Sequence, residues 1–399
     1  MGIKMKKIID EGIQDKIKYT TSCGLTQEDV EQALQEALKK VDNSLEYFTH
    51  QFPHEYSTDN IYPPTTNDWG WGQGFWTGII WLAYEMTEDK KYREVAEIHV
   101  KSFEKRIEEK LGVNHHDMGF LYSLSCVAAY RLTGNESAKN AALKAADHLI
   151  SRYRDKGGFI QAWGDINDPT AYRLIIDCLM NIPLLYWAAE VTKDNDYYKK
   201  AYNHMKATVN NVFREDASAF HTFYFDPETG EPVKGVTHQG HSDDSAWARG
   251  QAWGMYGVLL SYLYTKDEDL IELYKKVTNY FLNRLPEDYV SYWDLDFTSG
   301  EEPRDSSAAA IALCSLLEIN KWLEDSDPLK ETYLNAANCI LKSLIENYST
   351  KNHPKSNGLL LHAVYSKPGN VGVDECNIWG DYFYMEALVR VLKDWELYW

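Results

Sequence analysis

Hydrophobic positions along this chain come in alternating blocks. A segment that is apolar on nearly every side runs into a short polar turn. A segment with one apolar stripe and a Lys/Glu-rich face then follows. WTGIIWLAYEMTEDKKYREVAEIHVKSFEKRI is the first copy, MGFLYSLSCVAAYRLTGNESAKNAALKAADHLISRY the second and YRLIIDCLMNIPLLYWAAEVTKDNDYYKKAYNHMKATVNNVF the third. SAWARGQAWGMYGVLLSYLYTKDEDLIELYKKVTNYFLNRL and SSAAAIALCSLLEINKWLEDSDPLKETYLNAANCILKSLIENY complete the set, with polar turns at Thr87, Thr133, Thr192, Thr265 and Asp325. A helix that is apolar all round is buried on every side, and an amphipathic one covers it from outside. Five such hairpins supply ten helices. TQEDVEQALQEALKKVDNSLEYFT adds one, capped by Thr26 with Glu28 and Asp29 in its first turn, and WGDYFYMEALVRVLKDWELYW adds another. Twelve helices in an inner and an outer ring make an all-α (α/α)6 barrel. With no Pro/Gly/Ser-rich linker to split it, the chain is expected to be an N-terminal extension, 1–25, and one barrel domain, 26–399.

The longest interruption is FHTFYFDPETGEPVKGVTHQGHSDDSAW, between the third and fourth hairpins. FYFD, PETG and EPVKGVT predict a short β-hairpin near 220–240 with its turn at Pro227–Gly230. Long excursions on a rigid scaffold often carry function.

The starts of the inner helices are WGWGQGFWTG, NHHDMGFLY, TAYRLIID, DDSAWARGQAWG, PRDSSAAA and NIWGDYFY. Each mixes Trp, Gly, Asp, Arg, Asn or Ser with apolar helix formers. Such residues also make ordinary helix caps. Six of them converging in a closed ring favour one aromatic, polar cavity at its mouth. In the third inner helix the spacing predicts Arg173, Asp177 and Asn181 on one helical face at i, i+4 and i+8. Asp177 is then a carboxylate within an apolar stretch, a costly placement. Either it pairs with Arg173, or it is a carboxylic acid of raised pKa facing the cavity, with Asp117 of VNHHDMGF as the second carboxylate that raises it further. Arg249 and Trp253, at i and i+4, predict a guanidinium beside an indole, suited to an anionic ring.

The chain holds 13 Trp and 28 Tyr, the flat rings that sugar clefts use against pyranose faces. Its net charge of −19 argues against nucleic acid or an anionic membrane as a general partner. Six scattered cysteines without a C-x-x-C pair are expected to be free thiols of a reducing compartment, Cys178 among them as a packed thiol. The N-terminus lacks an apolar signal core and no run reaches membrane length, so a cytoplasmic location is expected. G-x-G-x-x-G after a strand, Walker A, G-x-S-x-G and H-E-x-x-H are all absent. The adjacent residues His115-His116-Asp117 lack the helical or hairpin spacing of zinc sites, so no metal is expected.

NHHDMGFLY, YRLIIDCLMN, FHTFYFDPETGEPVKGVT, QGHSDDSAWARGQAWG, SYWDLDF, RDSSAAAIA and VDECNIWGDYFYMEAL together resemble the unsaturated glucuronyl hydrolases, glycoside hydrolase family 88. The resemblance runs from about Thr26 to Trp399 and implies the same (α/α)6 barrel. It implies removal of a 4,5-unsaturated uronic acid from the non-reducing end of oligosaccharides made by polysaccharide lyases, glycosaminoglycan disaccharides foremost. Neither metal nor organic cofactor is implied, and a monomer or dimer is expected. The implied chemistry hydrates a vinyl ether: a carboxylic acid protonates C4, cationic character develops at C5, water adds there, and the resulting hemiketal opens and releases the aglycone. By motif match Asp177 is the acid and later the base, and Asp117 the second essential carboxylate. His221, Gln239 and Arg249 match substrate-contacting polar residues, the last two toward the uronate carboxylate or the adding water. Trp71, His116, Trp163 and Trp253 match the walls that hold the rings. Family members that prefer sulfated disaccharides carry Tyr-Ser-x-x-Ser-x-Lys. Here Tyr365 and Ser366 keep its start, Gly369 and Val371 replace the second Ser and the Lys, and Lys367 is the nearby candidate to stand in for that Lys, so the resemblance leaves sulfated and unsulfated substrates both open. Two readings compete with the leading one: an unsaturated rhamnogalacturonyl hydrolase on the same barrel, and a sugar-binding protein without turnover.

Overall fold

A computed structural model describes residues 6–399, so the first five residues of the N-terminal extension lie outside the described residues. Four inner helices end in the same turn, written by threonine. Thr87, Thr133, Thr192 and Thr265 each return their hydroxyl to the carbonyl four residues back, at 2.7–2.8 Å. The next residue, Glu88, Gly134, Lys193 or Lys266, takes a left-handed conformation with φ between 54° and 69°, which stops the helix. Asp89, Asn135 and Asp194 then cap the outer helix that follows. Thr26 and Asp29 form the reciprocal capping box of the first helix.

The outer helices are α1 (Gln27–Leu45), α3 (Lys90–Glu108), α6 (Glu136–Ser151), α9 (Asn195–Asn211), α11 (Asp269–Leu282) and α13 (Pro328–Ser343). The inner ring is α2 (Gln73–Thr87), α4 (Met118–Tyr122) continuing through a π turn into α5 (Ala128–Thr133), α7 (Cys178–Asn181) with α8 (Pro183–Thr192), α10 (Ala248–Thr265), α12 (Ser306–Ile319) and α14 (Ile378–Leu392). Around the ring α2 touches α4, α4 touches α7, α7 touches α10, α10 touches α12, α12 touches α14, and α14 returns to α2. Helix α1 packs on α14, so the first and last helices form the sixth hairpin. This is the (α/α)6 barrel, and no helix among the described residues is long and apolar enough to cross a membrane. Ile8, Ile13 and Tyr19 of the N-terminal extension are buried, and Tyr19 donates its hydroxyl to the Leu282 carbonyl at the end of α11.

The third inner helix departs from expectation. Residues Arg173–Ile175 form a strand, the chain turns at Asp177, and only Cys178 onward is helical. Pro183 has no amide hydrogen to continue α7, and α8 starts at that residue. Strand Arg173–Ile175 pairs antiparallel with Thr222–Phe225, which pairs with Pro232–Val236 across the expected hairpin. Arg173 and Asp177 therefore do not share a helical face and form no ion pair. The Arg173 guanidinium lies 4.2 Å from the centre of the Trp163 ring instead.

Candidate active site

A cavity of about 430 Å³ opens where the inner helices begin. Trp71, His116, Asp117, Trp163, Asp177, His221, Gln239, Arg249, Trp253 and Ser366, the ten candidates from the sequence, all line it. Gly70, His115, Ile175, His238, Trp247 and Tyr365 line it as well, beyond those ten. Of the six helix starts, four reach the cavity. None of those four carries a side-chain cap, as Gly72, Asp117, Asp177 and Trp247 show. The other two starts are ordinary caps, Asp305 on α12 and Asn377 on α14. They stand one layer behind the wall.

The two carboxylates come together because α4 and α7 cross closely. At Gly119 a β-carbon would fall 2.4 Å from Asn181 Cα, so only glycine allows the approach. Asn181 fastens the crossing: it accepts from the Phe120 amide at 2.9 Å and donates to Asp117 Oδ1 at 3.3 Å and to the Asp177 carbonyl at 3.1 Å. His116 Nε2 lies between the two carboxyls, 3.3 Å from Asp117 Oδ1 and 3.7 Å from Asp177 Oδ1. His115 Nδ1 stands 3.0 Å from Asp117 Oδ2.

These neighbours drive the two acids apart. Burial would raise Asp117, but His116 and His115 hold its carboxyl well below the usual range. Asp177 is pushed up to about 6, by burial first and then by the Asp117 charge, with His116 opposing. Its Oδ1 is buried and lacks a hydrogen-bond partner. His116 is raised: burial would lower it, and the two carboxylates outweigh burial. Ligand atoms of His116, Asp117 and Asp177 lie within 4.8 Å of one another, close enough to hold a cation. In this donor set His116 Nε2 sits between the two carboxyls, and its raised pKa lets the imidazole share the position a cation would take.

The strand that replaced the expected helix brings in the next group. Ile176 donates its amide to the His221 carbonyl at 3.0 Å, which seats His221 beside Asp177. His221 Nε2 faces Gln239 Oε1 at 3.2 Å, and its Nδ1 faces the Thr222 hydroxyl at 2.7 Å. Since the amide oxygen can only accept, Nε2 carries the proton. Burial pushes this imidazole down to about 3, so it stays neutral. Gln239 donates to the Tyr365 carbonyl at 2.7 Å. Its loop is pinned by the buried Asp294, which accepts from the His241 amide at 2.8 Å and the Ser245 hydroxyl at 2.7 Å.

Arg249 differs from its expected setting. Its guanidinium lies 4.4 Å from Trp247 and 4.8 Å from Trp379, so Trp253 is not its stacking partner. It donates to the carbonyls of Val364 and Tyr365, the latter at 2.7 Å, and its Nη1 stands 3.3 Å from Asp305 Oδ2. These bonds occupy much of the fork expected to grip a uronate carboxylate. Trp71 stacks on Trp379 at 4.8 Å and donates its indole N–H to the Tyr365 hydroxyl at 3.3 Å. Trp253 is buried against Phe120, 5.1 Å away. Ser366 ends the strand Ala363–Ser366, and its hydroxyl accepts from the Gly369 amide at 3.3 Å. Cys178 is a buried thiol near the Thr208 hydroxyl, raised by burial.

The model of Glycosyl Hydrolase Family 88 matches residues 40–395 of this chain. An unsaturated chondroitin disaccharide hydrolase of Streptococcus agalactiae serotype III (strain NEM316) is 54% identical over 100% of both chains. A crystal structure of unsaturated glucuronyl hydrolase from Streptococcus agalactiae superposes with a TM-score of 0.97, at 54% identity, covering 99% of this chain and 100% of its own. An aspartate-to-asparagine mutant of that hydrolase, complexed with dGlcA-GalNAc6S, superposes with a TM-score of 0.90 at 51% identity, over 99% and 100% of the two chains.

Proposed function

This chain belongs to Glycosyl Hydrolase Family 88 and is an unsaturated glucuronyl hydrolase, and from that premise we propose how its cavity works: Asp177 delivers a proton to C4 of a 4,5-unsaturated uronic acid at the non-reducing end of a glycosaminoglycan-derived disaccharide. The observation that carries this reading is the division of labour between two neighbouring carboxyls. Asp177 is held protonated into the working range, pushed up to about 6, and Asp117 is held ionised. A general acid serves best when its pKa lies near the pH of operation.

Protonation at C4 leaves positive character at C5, stabilised by the ring oxygen. The ionised Asp117 lies in the same cavity to favour that charge. Asp177, now a carboxylate, takes a proton from the water that adds to C5. The product is a hemiketal, whose ring opens and frees the aglycone. Neutral His221, its proton held on Nε2 by Gln239, and Gln239 itself turn toward the sugar hydroxyls or the water by exchanging these internal bonds when substrate enters. Trp71, Trp163 and Trp253 supply apolar faces for the rings. His116 acts as a positioning group, its Nε2 facing both carboxyls. No step needs a metal or a redox partner.

The substrate's own charge assists. A uronate bound beside Asp177 is a second negative neighbour and disfavours ionisation of the acid further. For the free enzyme, kcat/KM is expected to fall as pH rises through about 6, because the acid must be protonated and its pKa lies there. The alkaline limb of kcat is expected at higher pH, since the bound carboxylate lifts the acid. A kcat limb at or below the kcat/KM limb would refute this ordering.

The direct test follows the ultraviolet absorbance of the C4=C5 bond with a panel of unsaturated chondroitin, hyaluronan and pectin-derived disaccharides, sulfated and unsulfated. Loss of absorbance with the glycosaminoglycan disaccharides is expected. Turnover restricted to a rhamnose-bearing aglycone would shift the reading to pectin fragments. Binding without loss of absorbance would remove the enzymatic role.

A further inference from the structure

Trp69 is 54% exposed, the most exposed tryptophan of this chain among the described residues. It sits two residues before Trp71 and is bonded to Gly70, both of which line the cavity. The residues on either side of it are held by Arg106. That buried guanidinium donates to Asn67 Oδ1 at 3.0 Å, the Gly70 carbonyl at 2.5 Å and the Gly112 carbonyl at 2.9 Å. At Gly112 a β-carbon would fall 2.3 Å from the Asp68 carbonyl, so the loop carrying Trp69 lies flat against its support. A large indole displayed to solvent on a loop tied this tightly meets a ligand at little cost in ordering.

Trp69 also ends a run of aromatic rings that starts inside the cavity. Trp71 stacks with Tyr365 at 6.4 Å, Tyr365 lies 5.4 Å from Tyr56, Tyr56 lies 4.6 Å from His54, and His54 lies 6.1 Å from Trp69. The cavity, at about 430 Å³, is near the lower end of the range for small-ligand clefts. A longer sugar chain that leaves the cavity along this run of rings meets Trp69.

We propose that Trp69, with His54 and Tyr56 behind it, forms an outer sugar platform. It binds rings of an unsaturated oligosaccharide beyond the terminal pair, through the apolar faces of neutral hexose or hexosamine units. This rests on the functional reading above, and it adds a length-dependent specificity for substrates of four rings or more.

The test compares kcat/KM for an unsaturated disaccharide and an unsaturated tetrasaccharide of the same repeat in the Trp69→Ala and Trp69→Phe variants. Trp69→Ala is expected to lower the tetrasaccharide value by about three- to tenfold, the range of one lost aromatic contact, and to leave the disaccharide value within about twofold. Trp69→Phe, which keeps a ring, is expected to restore most of the loss. Equal losses on both substrates, or no loss on the tetrasaccharide, overturn the platform. So does a change of oligomeric state in sedimentation, which would make Trp69 a contact between copies. Calorimetric binding of the tetrasaccharide to Asp177→Asn, with and without Trp69→Ala, reads the platform independently of turnover. If the unvaried enzyme consumes no disaccharide, the functional reading fails, and the binding comparison still decides on Trp69.

Discussion

Asp177→Asn is expected to lower turnover of the unsaturated disaccharide by about 10²- to 10⁴-fold, the usual worth of a positioned general acid. The amide keeps the size of the side chain and removes both proton transfers the mechanism asks of it. KM is expected to change little, because the walls and polar groups around the ring are untouched. The same substitution is expected to stabilise the fold above neutrality. The carboxyl has a folded pKa of about 6 against 3.8 in the unfolded chain. Below about pH 4 it is protonated in both states and contributes nothing to the pH dependence. As pH rises from about 4 to 6 the unfolded chain loses its proton first, which penalises the folded state. Above 6 the full penalty applies, about 3 kcal/mol at most for two pK units. Asparagine carries no such term. Thermal melts of the two proteins should therefore agree near pH 4 and separate near pH 7.5, with the inactive variant the more stable. Near wild-type turnover would remove Asp177 from the chemistry. Identical melts at both pH values would show that the site does not strain its acid.

The barrel was legible because its signal is periodic and local. Each apolar helix, threonine turn and Lys/Glu-faced helix is complete within about forty residues of sequence, and the threonine-to-asparagine/aspartate turns are written in the chain. The third inner helix was misread because Arg173–Ile175 owes its strand to a partner some fifty residues away, Thr222–Phe225. A short apolar run such as RLII has no period that separates strand from helix. The i, i+4 relation of Arg173 to Asp177 fell with it. The anomaly of Asp177 survived, since a carboxylate among apolar residues is conspicuous in any secondary structure. Trp247 and His238 escape the sequence, and Tyr365 stands there only as the start of the sulfate motif, each for a different reason. Trp247 stands one residue before α10, and its ring packs on Arg249. Tyr365 arrives on a C-terminal β-hairpin that the helical pattern did not separate from its surroundings. His238 adjoins Gln239, and its contacts with Trp163 and His221 appear only once the excursion folds back. The pairing of helix starts into four that line the cavity and two that cap helices is likewise a property of the closed ring.

Arg249→Ala is expected to cost about 3–5 kcal/mol of stability, the range for removing one partner of a buried ion pair. The side chains of Arg249 and Asp305 are 1% and 0% exposed. Burial already raises the Asp305 carboxyl against the pull of Arg249. Without the guanidinium that carboxyl must take up a proton or stay charged and unpaired. The carbonyls of Val364 and Tyr365 lose their donor as well, and Tyr365 O also accepts from Gln239. The strand that carries Tyr365 and Ser366 to the cavity is thus loosened, and with it the seat of Gln239 and His221. The variant should melt several degrees lower and lose kcat/KM through both kcat and KM. Arg249→Lys should recover only part, because one ammonium cannot span two carbonyls and a carboxylate in the planar fork of arginine. The competing role, a direct grip on the uronate, makes a different forecast: an unchanged melt, an unchanged kcat and a raised KM. Calorimetry beside steady-state kinetics separates the two. The packing of the guanidinium between Trp247 and Trp379, with its donors turned to the strand, argues for the first: Arg249 builds the wall that the sugar meets.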